Sequence, residues 1–272
     1  MIFRCGAWLL VIALAGCVSA PQDSDPQLDP GLDLARYQML DLSHPYNAET
    51  LYWPSSPSAF EHGELEYGTT EEGYFYSAYT LGTPEHGGTH IDAPIHFHAD
   101  GLTVEQLALE QLILPVVVLD VRAEAAADPD YTLTMDAINA HEAKHGAIVP
   151  GSAVLMWTAW DQYWPDALGY LGDDTPDRTT HLHFPGFGVQ ATEFLLQERQ
   201  VRLIGLDTAS IDHGPSTDFL VHRLTGAAGV PGLENLTGLE QLPPTGATLI
   251  ALPMKIEGGS GAPVRVVALV PR

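Results

Sequence analysis

The chain has 272 residues, 45% of them hydrophobic, and a formal net charge of −24 at pH 7. So acidic a balance repels phosphate backbones and anionic lipid, which excludes nucleic-acid binding as an expectation and favours solubility. Its two cysteines, Cys5 and Cys17, both fall in the first seventeen residues, so the remainder has no thiol and any metal must be held by nitrogen and oxygen.

Residues 1–16, MIFRCGAWLLVIALAG, place one basic residue, Arg4, before an apolar run at 7–15 that suits a signal-peptide core and is too short to span a bilayer. The run ends in Leu14-Ala15-Gly16-Cys17, which resembles the bacterial lipoprotein box and implies lipidation of Cys17. Residues 17–35 then read as the lipidated cysteine and a flexible tether, because VSAPQDSDPQLDP is rich in Pro and Asp and nearly devoid of apolar side chains. The expected location is outside the cytoplasm, lipid-anchored to the cell envelope on the periplasmic side. Residues 36–272 remain as one domain, long enough for a proper core.

Apolar runs of strand length recur: YFYSAYTL (74–81), PVVVLDV (115–121), AVLMWTAW (153–160), VRLIGLDT (201–208), ATLIALP (247–253) and VRVVALV (264–270). Bounded by Gly, Pro or Asp, they predict buried strands. Between them, MDAINAHEAKH after Thr134 and before Gly146 predicts a capped helix, VQATEFLLQER (189–199) a second, and LENLTGLEQL (233–242) a shorter third. The alternation predicts a single α/β domain with a mixed sheet and flanking helices. Residues 161–188, polar, aromatic and rich in turn formers, read as a long surface excursion.

Residues 86–101, HGGTHIDAPIHFHADG, hold four of the twelve histidines and two aspartates. His86 and His90 have the spacing of two ligands on one helix face, but Gly87-Gly88 disfavours a helix and predicts a tight turn where backbone approaches something closely. Beyond it the chain is expected to run extended, Pro94 keeping Ala93 out of helix. His90, Asp92 and His96 then share a face. His90 and Asp92 lie within about 7 Å and can converge on one ion, whereas His96 is up to about 20 Å from His90 unless Pro94 bends the chain. His96 is therefore read as an acid/base group beside the metal. Asp92, with two oxygens, can join two cations at the roughly 3.5–4 Å of two-metal sites. His44, His62, His141, His145 and His213 read as solvated or capping side chains, and His98 is left without an assigned role.

HGGTHIDAPIH fits every fixed position of HxGTHxDxPxH, so the chain resembles the cyclase family, which includes arylformamidases (kynurenine formamidases) and isatin hydrolases. LDLSHPY (40–46), LYWPSSP (51–57), RLIGLDTASID (202–212) and HRLTGAAGVPGLENL (222–236) extend the likeness. The resemblance implies a swivelling β/β/α-type fold, a homo-oligomer, and two divalent metal ions, zinc or manganese. It implies that His86, His90 and Asp92 bind one, that His222 and Glu234 hold the other across Asp92, that His96 carries the proton, and that Trp53 lines the substrate pocket. The segment 51–57 departs from the arylformamidase pattern, continuing with Ser55-Ser56 where Gly-Asp is common, and the excursion at 161–188 is closer to isatin-hydrolase-like members.

The expected activity is metal-dependent hydrolysis of a carbon-nitrogen bond in an aromatic or cyclic amide, an arylformamide or isatin-like lactam, through metal-activated water. Tyr74 and Tyr76 are candidates to join Trp53 in an aromatic wall. The alternatives are a lactonase or a cyclase/dehydratase on the same site, or a lipid-anchored binding protein without turnover.

Overall fold

A computed structural model describes residues 33–175 and 178–272. The signal segment at 1–16, Cys17 and the tether up to residue 32 lie outside the described residues. Among the described residues no helix is long and apolar enough to cross a membrane.

The strands are β1 (Tyr37–Asp41), β2 (Glu61–Thr69), β3 (Phe75–Gly82), β4 (His90–Asp92), β5 (Ile113–Asp120), β6 (Thr132–Leu133), β7 (Ala153–Trp157), β8 (Gly186–Phe187), β9 (Leu203–Leu206), β10 (Gly232–Glu234), β11 (Ala247–Pro253) and β12 (Gly261–Pro271). The helices are α1 (Arg122–Ala127), α2 (Met135–His145), α3 (Ala167–Leu171), α4 (Val189–Gln197) and α5 (Leu220–Ala228). Eight strands form one mixed sheet in the order β1-β12-β11-β5-β7-β9-β10-β4. Because β4 also pairs with β12, the sheet closes on itself from β12 round to β4, leaving β1 against the far end of β12. The expectation of an α/β domain with a mixed sheet and flanking helices holds.

The unbroken apolar runs follow from burial on both faces. In β5, Val116 and Val118 point into one core with Leu155, Leu233, Leu249 and Val266, while Val117 and Leu119 point into a second core. Val154, Met156, Ile204 and Leu206 share that second core with Ile138 of α2, Ala191 and Leu195 of α4 and Val221 of α5. Parallel strands need such cover on both sides; here the helices supply it on one, and the closed sheet packs its own side chains on the other. Thr134 caps α2 by accepting the Ala137 N–H (3.2 Å), and Gly146, at φ 91°, ends it.

Four sequence expectations fail. Residues 233–242 form no α-helix: Gly232–Glu234 enters the sheet between β9 and β4, and only a 3-10 turn, Leu239–Gln241, follows. YFYSAYTL is a strand but not a buried one, because β3 pairs only with β2 in an exposed hairpin. The excursion at 161–188 is not all surface: Tyr170, Leu182 and Phe184 are fully buried in a third cluster that packs against Leu51 and Trp53. His44 is half-buried, stacked on Trp164 at 4.2 Å.

Candidate metal centre

The glycine turn does what its composition predicts. Gly88 takes φ +57°, and a Cβ there would meet the ring of Tyr46 at 2.7 Å, while one at Gly87 would strike Tyr52. Thr89 then anchors the strand by donating its hydroxyl to the Asn235 carbonyl (2.6 Å).

From there β4 runs between β10 and β12. His90 stands opposite Glu234, and Asp92 stands opposite Gly232 on one side and Gly261 on the other. Cross-strand partners share a face, so the two glycines leave the room that Asp92 and its neighbours occupy. Ile91, of opposite parity, is buried in the main core.

The extended reading of His96 is wrong. Pro94–His96 is a 3-10 turn with proline at its first position, and it folds the His96 ring back onto His86, centroids 3.8 Å apart. His86, Asp92 and His96 thereby offer ligand atoms within 4.8 Å of one another, as do His90, Asp92 and Glu234, so Asp92 belongs to both groups. His222, from α5, completes the cluster: its Nε2 lies 3.1 Å from Asp92 and 3.2 Å from Glu234. His90 Nε2 lies 3.3 Å from Asp92 and 3.4 Å from Glu234. All six side chains assigned to metal and proton transfer are thus brought together.

The electrostatics reveal what the cluster lacks. Burial opposes a proton on His90, yet Asp92 and Glu234 outweigh it and raise the imidazole to about 9. His222 is likewise raised against its burial, by Asp212, Asp92 and Glu234. Burial and the neighbouring Asp92 raise the Glu234 carboxyl, whereas the surrounding imidazoles hold Asp92 well below its ordinary value despite burial. Two buried carboxylates with no Lys or Arg among the described partners demand positive charge. A nitrogen-and-oxygen donor set of this kind fits a divalent cation. His96 differs: burial and the other imidazoles outweigh Asp92 and lower it to about 4.

Outer partners orient the ligands. His222 Nδ1 donates to Asp212 (2.7 Å), whose carboxylate also accepts the N–H groups of Val221 and His222 at the start of α5. His90 Nδ1 donates to the Gly88 carbonyl (3.0 Å). Each bond leaves Nε2 free to face the cluster. Sequence reasoning missed Asp212, although it ends the quoted RLIGLDTASID; nothing in one sequence marks its contact with His222.

A cavity of about 250 Å³ opens over the cluster, lined by Trp53, Tyr52, Phe97 and Phe219 above His86, His96 and His222. Trp53 stands in the cavity wall, its ring edge-on to Phe184 and Phe219. Tyr74 and Tyr76 do not: both are exposed near the hairpin and absent from the cavity wall.

A closed mixed sheet presenting buried His, Asp and Glu side chains beneath an aromatic cavity fits a metal-dependent hydrolase. Residues 40–213 match the family described as "Putative cyclase". The chain is 39% identical over 227 residues to isatin hydrolase of Roseibium aggregatum, covering 80% of this chain and 83% of that protein. It is 30% identical over 234 residues to kynurenine formamidase of Salinibacter ruber, covering 84% and 96%. An isatin hydrolase structure bound to the product analogue thioisatinate superposes with a TM-score of 0.79 at 34% identity, over 88% of this chain and 94% of that one. Isatin hydrolase A from Labrenzia aggregata bound to benzyl benzoate gives 0.80 at 33%, over 88% and 95%. The chain belongs to the cyclase family, and its activity is hydrolysis of carbon-nitrogen bonds other than peptide bonds.

Proposed function

We propose that the protein opens a neutral, flat aromatic lactam of the isatin kind at its carbon-nitrogen bond, using two divalent cations, zinc or manganese. The observation that carries this reading is the cavity wall: aromatic on several sides and without a single Lys or Arg among its lining residues. A formanilide bearing a zwitterionic amino-acid tail finds no Lys or Arg there to pair with its carboxylate, whereas the aromatic walls of Trp53, Phe97 and Phe219 suit a neutral bicyclic lactam. The similarity to isatin hydrolase supports the same choice.

His86, His90 and Asp92 would hold one cation and His222 and Glu234 the other, Asp92 being common to both ligand groups. A bound divalent cation supplies an acidified water and polarises a carbonyl oxygen. His96, neutral at neutral pH and set in the cavity wall, accepts a proton and returns it to the departing nitrogen. Trp53 orients the ring by stacking. A panel of isatin, formanilides with and without an amino-acid tail, and lactones tests the substrate class. Turnover of isatin at least tenfold above the tailed formanilide is expected, and the reverse order overturns the reading.

Two further features complete it. The box ending at Cys17 supports lipid anchoring at the periplasmic face, so Cys17→Ser should move the protein from the membrane to the soluble fraction. The hairpin β2–β3 supports a homo-oligomer: Leu65, Tyr67, Phe75, Tyr79 and Leu81 are all exposed, more apolar surface than an isolated hairpin sustains.

A further inference from the structure

The three histidines assigned to the cations are not held alike. In His90 and His222 the outer partner engages Nδ1, a carbonyl in one case and a carboxylate in the other. His86 is turned the other way. Its Nδ1 lies 2.6 Å from Asp92, and its Nε2 lies 2.8 Å from the Ser260 hydroxyl.

Behind Ser260 stands Glu85. Its Oε2 accepts the amide N–H of Ser260 (2.8 Å) and of Gly261 (3.3 Å), which can only donate, and lies 2.7 Å from the Ser260 hydroxyl. An oxygen already accepting from two amides takes the serine proton as well, and a hydroxyl has only one to give. Ser260 Oγ therefore turns lone pairs toward His86, and Nε2 must carry the imidazole proton. Nδ1, whose nearest neighbour is the Asp92 carboxylate at 2.6 Å, is then the nitrogen left to a cation held together with Asp92.

We propose that Glu85 and Ser260 are positioning residues that lock His86 in its Nε2–H tautomer, so that it binds a divalent cation through Nδ1 while His90 and His222 bind through Nε2. Two further contacts fix the ring. His96 stacks on one face, and Gly261 lies at its edge, where a Cβ would come within 2.5 Å of Cε1. The pairing of Gly261 with Asp92 in the sheet ties this clamp to the same strand that carries the ligands.

The inference rests on the reading of His86 as a ligand, and the experiment separates the two. Long-range ¹H–¹⁵N spectra of ¹⁵N-histidine protein loaded with Zn²⁺, which is diamagnetic, read directly which His86 nitrogen keeps its proton and which binds the metal. Zn²⁺ titration by calorimetry reads affinity and stoichiometry. Nε2–H at His86 is expected in the parent, together with a 10- to 100-fold loss of affinity for one Zn²⁺ in Ser260→Ala and Glu85→Gln, and binding within threefold of the parent in Ser260→Thr, which keeps the hydroxyl. A parent spectrum showing Nδ1–H overturns the proposal, as does unchanged Zn²⁺ binding in both Ser260→Ala and Glu85→Gln while His86→Ala loses a site. If His86→Ala itself keeps full stoichiometry and affinity, the ligand reading fails first and the clamp falls with it.

Discussion

His96 and Asp92 share a pocket but answer to different tests. His96 sits in the cavity wall, depressed to about 4 by burial, and is stacked on His86, whereas Asp92 is enclosed by three imidazoles. His96→Ala should retain its metal and lose about 10²- to 10⁴-fold in kcat/KM, the usual contribution of a positioned proton carrier. Asp92→Ala should lose both activity and metal. Elemental analysis alongside steady-state kinetics separates them, and full activity in His96→Ala would remove it from the mechanism. These residues were legible because HxGTHxDxPxH concentrates ligand chemistry in eleven positions. Strand parity foresaw that His90 and Asp92 share a face, but parity carries no information about a bend, and Pro94, which opens a 3-10 turn, brought His96 much nearer than an extended chain allows. Asp212, Glu85 and Ser260 were out of reach for another reason. Ser260 meets Glu85 across 175 positions, and a carboxylate that orients a ligand resembles any other acidic residue until the fold closes.

Elements succeed or fail as predictions according to what covers them. β5, β7 and β9 read correctly because both faces are buried, which forces a continuous apolar run. LENLTGLEQL carries a helical spacing, yet strand pairing on both sides of β10 outweighs that preference. Outside the sheet, α2 is joined to the turn just after α4 by a two-pronged ion pair, Arg199 Nε and Nη2 meeting the Glu142 carboxylate at 2.6 and 2.8 Å. Geometry of this quality, partly shielded from water, is worth about 1–2 kcal/mol. Arg199→Ala should lower the urea midpoint accordingly at pH 7. Arg199 holds Glu142 below its ordinary carboxyl value, so the folded pKa is depressed. The stabilisation is therefore present above the unfolded pKa of about 4.3 and lost as pH falls through the lower folded value. The gap between parent and variant should accordingly be widest near neutrality and close on acidification; a gap that stays constant down to pH 3 would assign it to packing against Phe194 instead. The hairpin makes a separate prediction. Tyr67 and Phe75 meet edge to face on its exposed apolar side, so the double change Tyr67→Asp and Phe75→Asp should halve the mass or more by light scattering and leave zinc binding intact.

At the scale of the whole molecule, the cluster joins segments that the chain keeps far apart: His222 meets Asp92 across 130 positions, and Glu234 reaches it through the β10–β4 ladder. A cation bound among them stabilises only the folded chain, since the unfolded one does not assemble the site. At a free metal concentration of 100 times Kd the linkage is worth about 2.7 kcal/mol. For a domain of this size each kcal/mol moves Tm by about 2–4 °C, so chelation should lower it by roughly 5–10 °C. The chain should nonetheless remain folded after chelation, because β4 keeps its backbone pairing with β10 and β12 and Ile91 stays in the main core. Differential scanning calorimetry with and without chelator checks the shift, and circular dichroism checks that the secondary structure survives. Zinc or manganese added back should restore Tm. Asp92→Ala is the control: lacking the carboxylate common to both ligand groups, it should show little response to chelator or metal. A parent Tm indifferent to chelation, or an equal shift in Asp92→Ala, would mean that the buried carboxylates balance their charge with the protons of His90 and His222 alone.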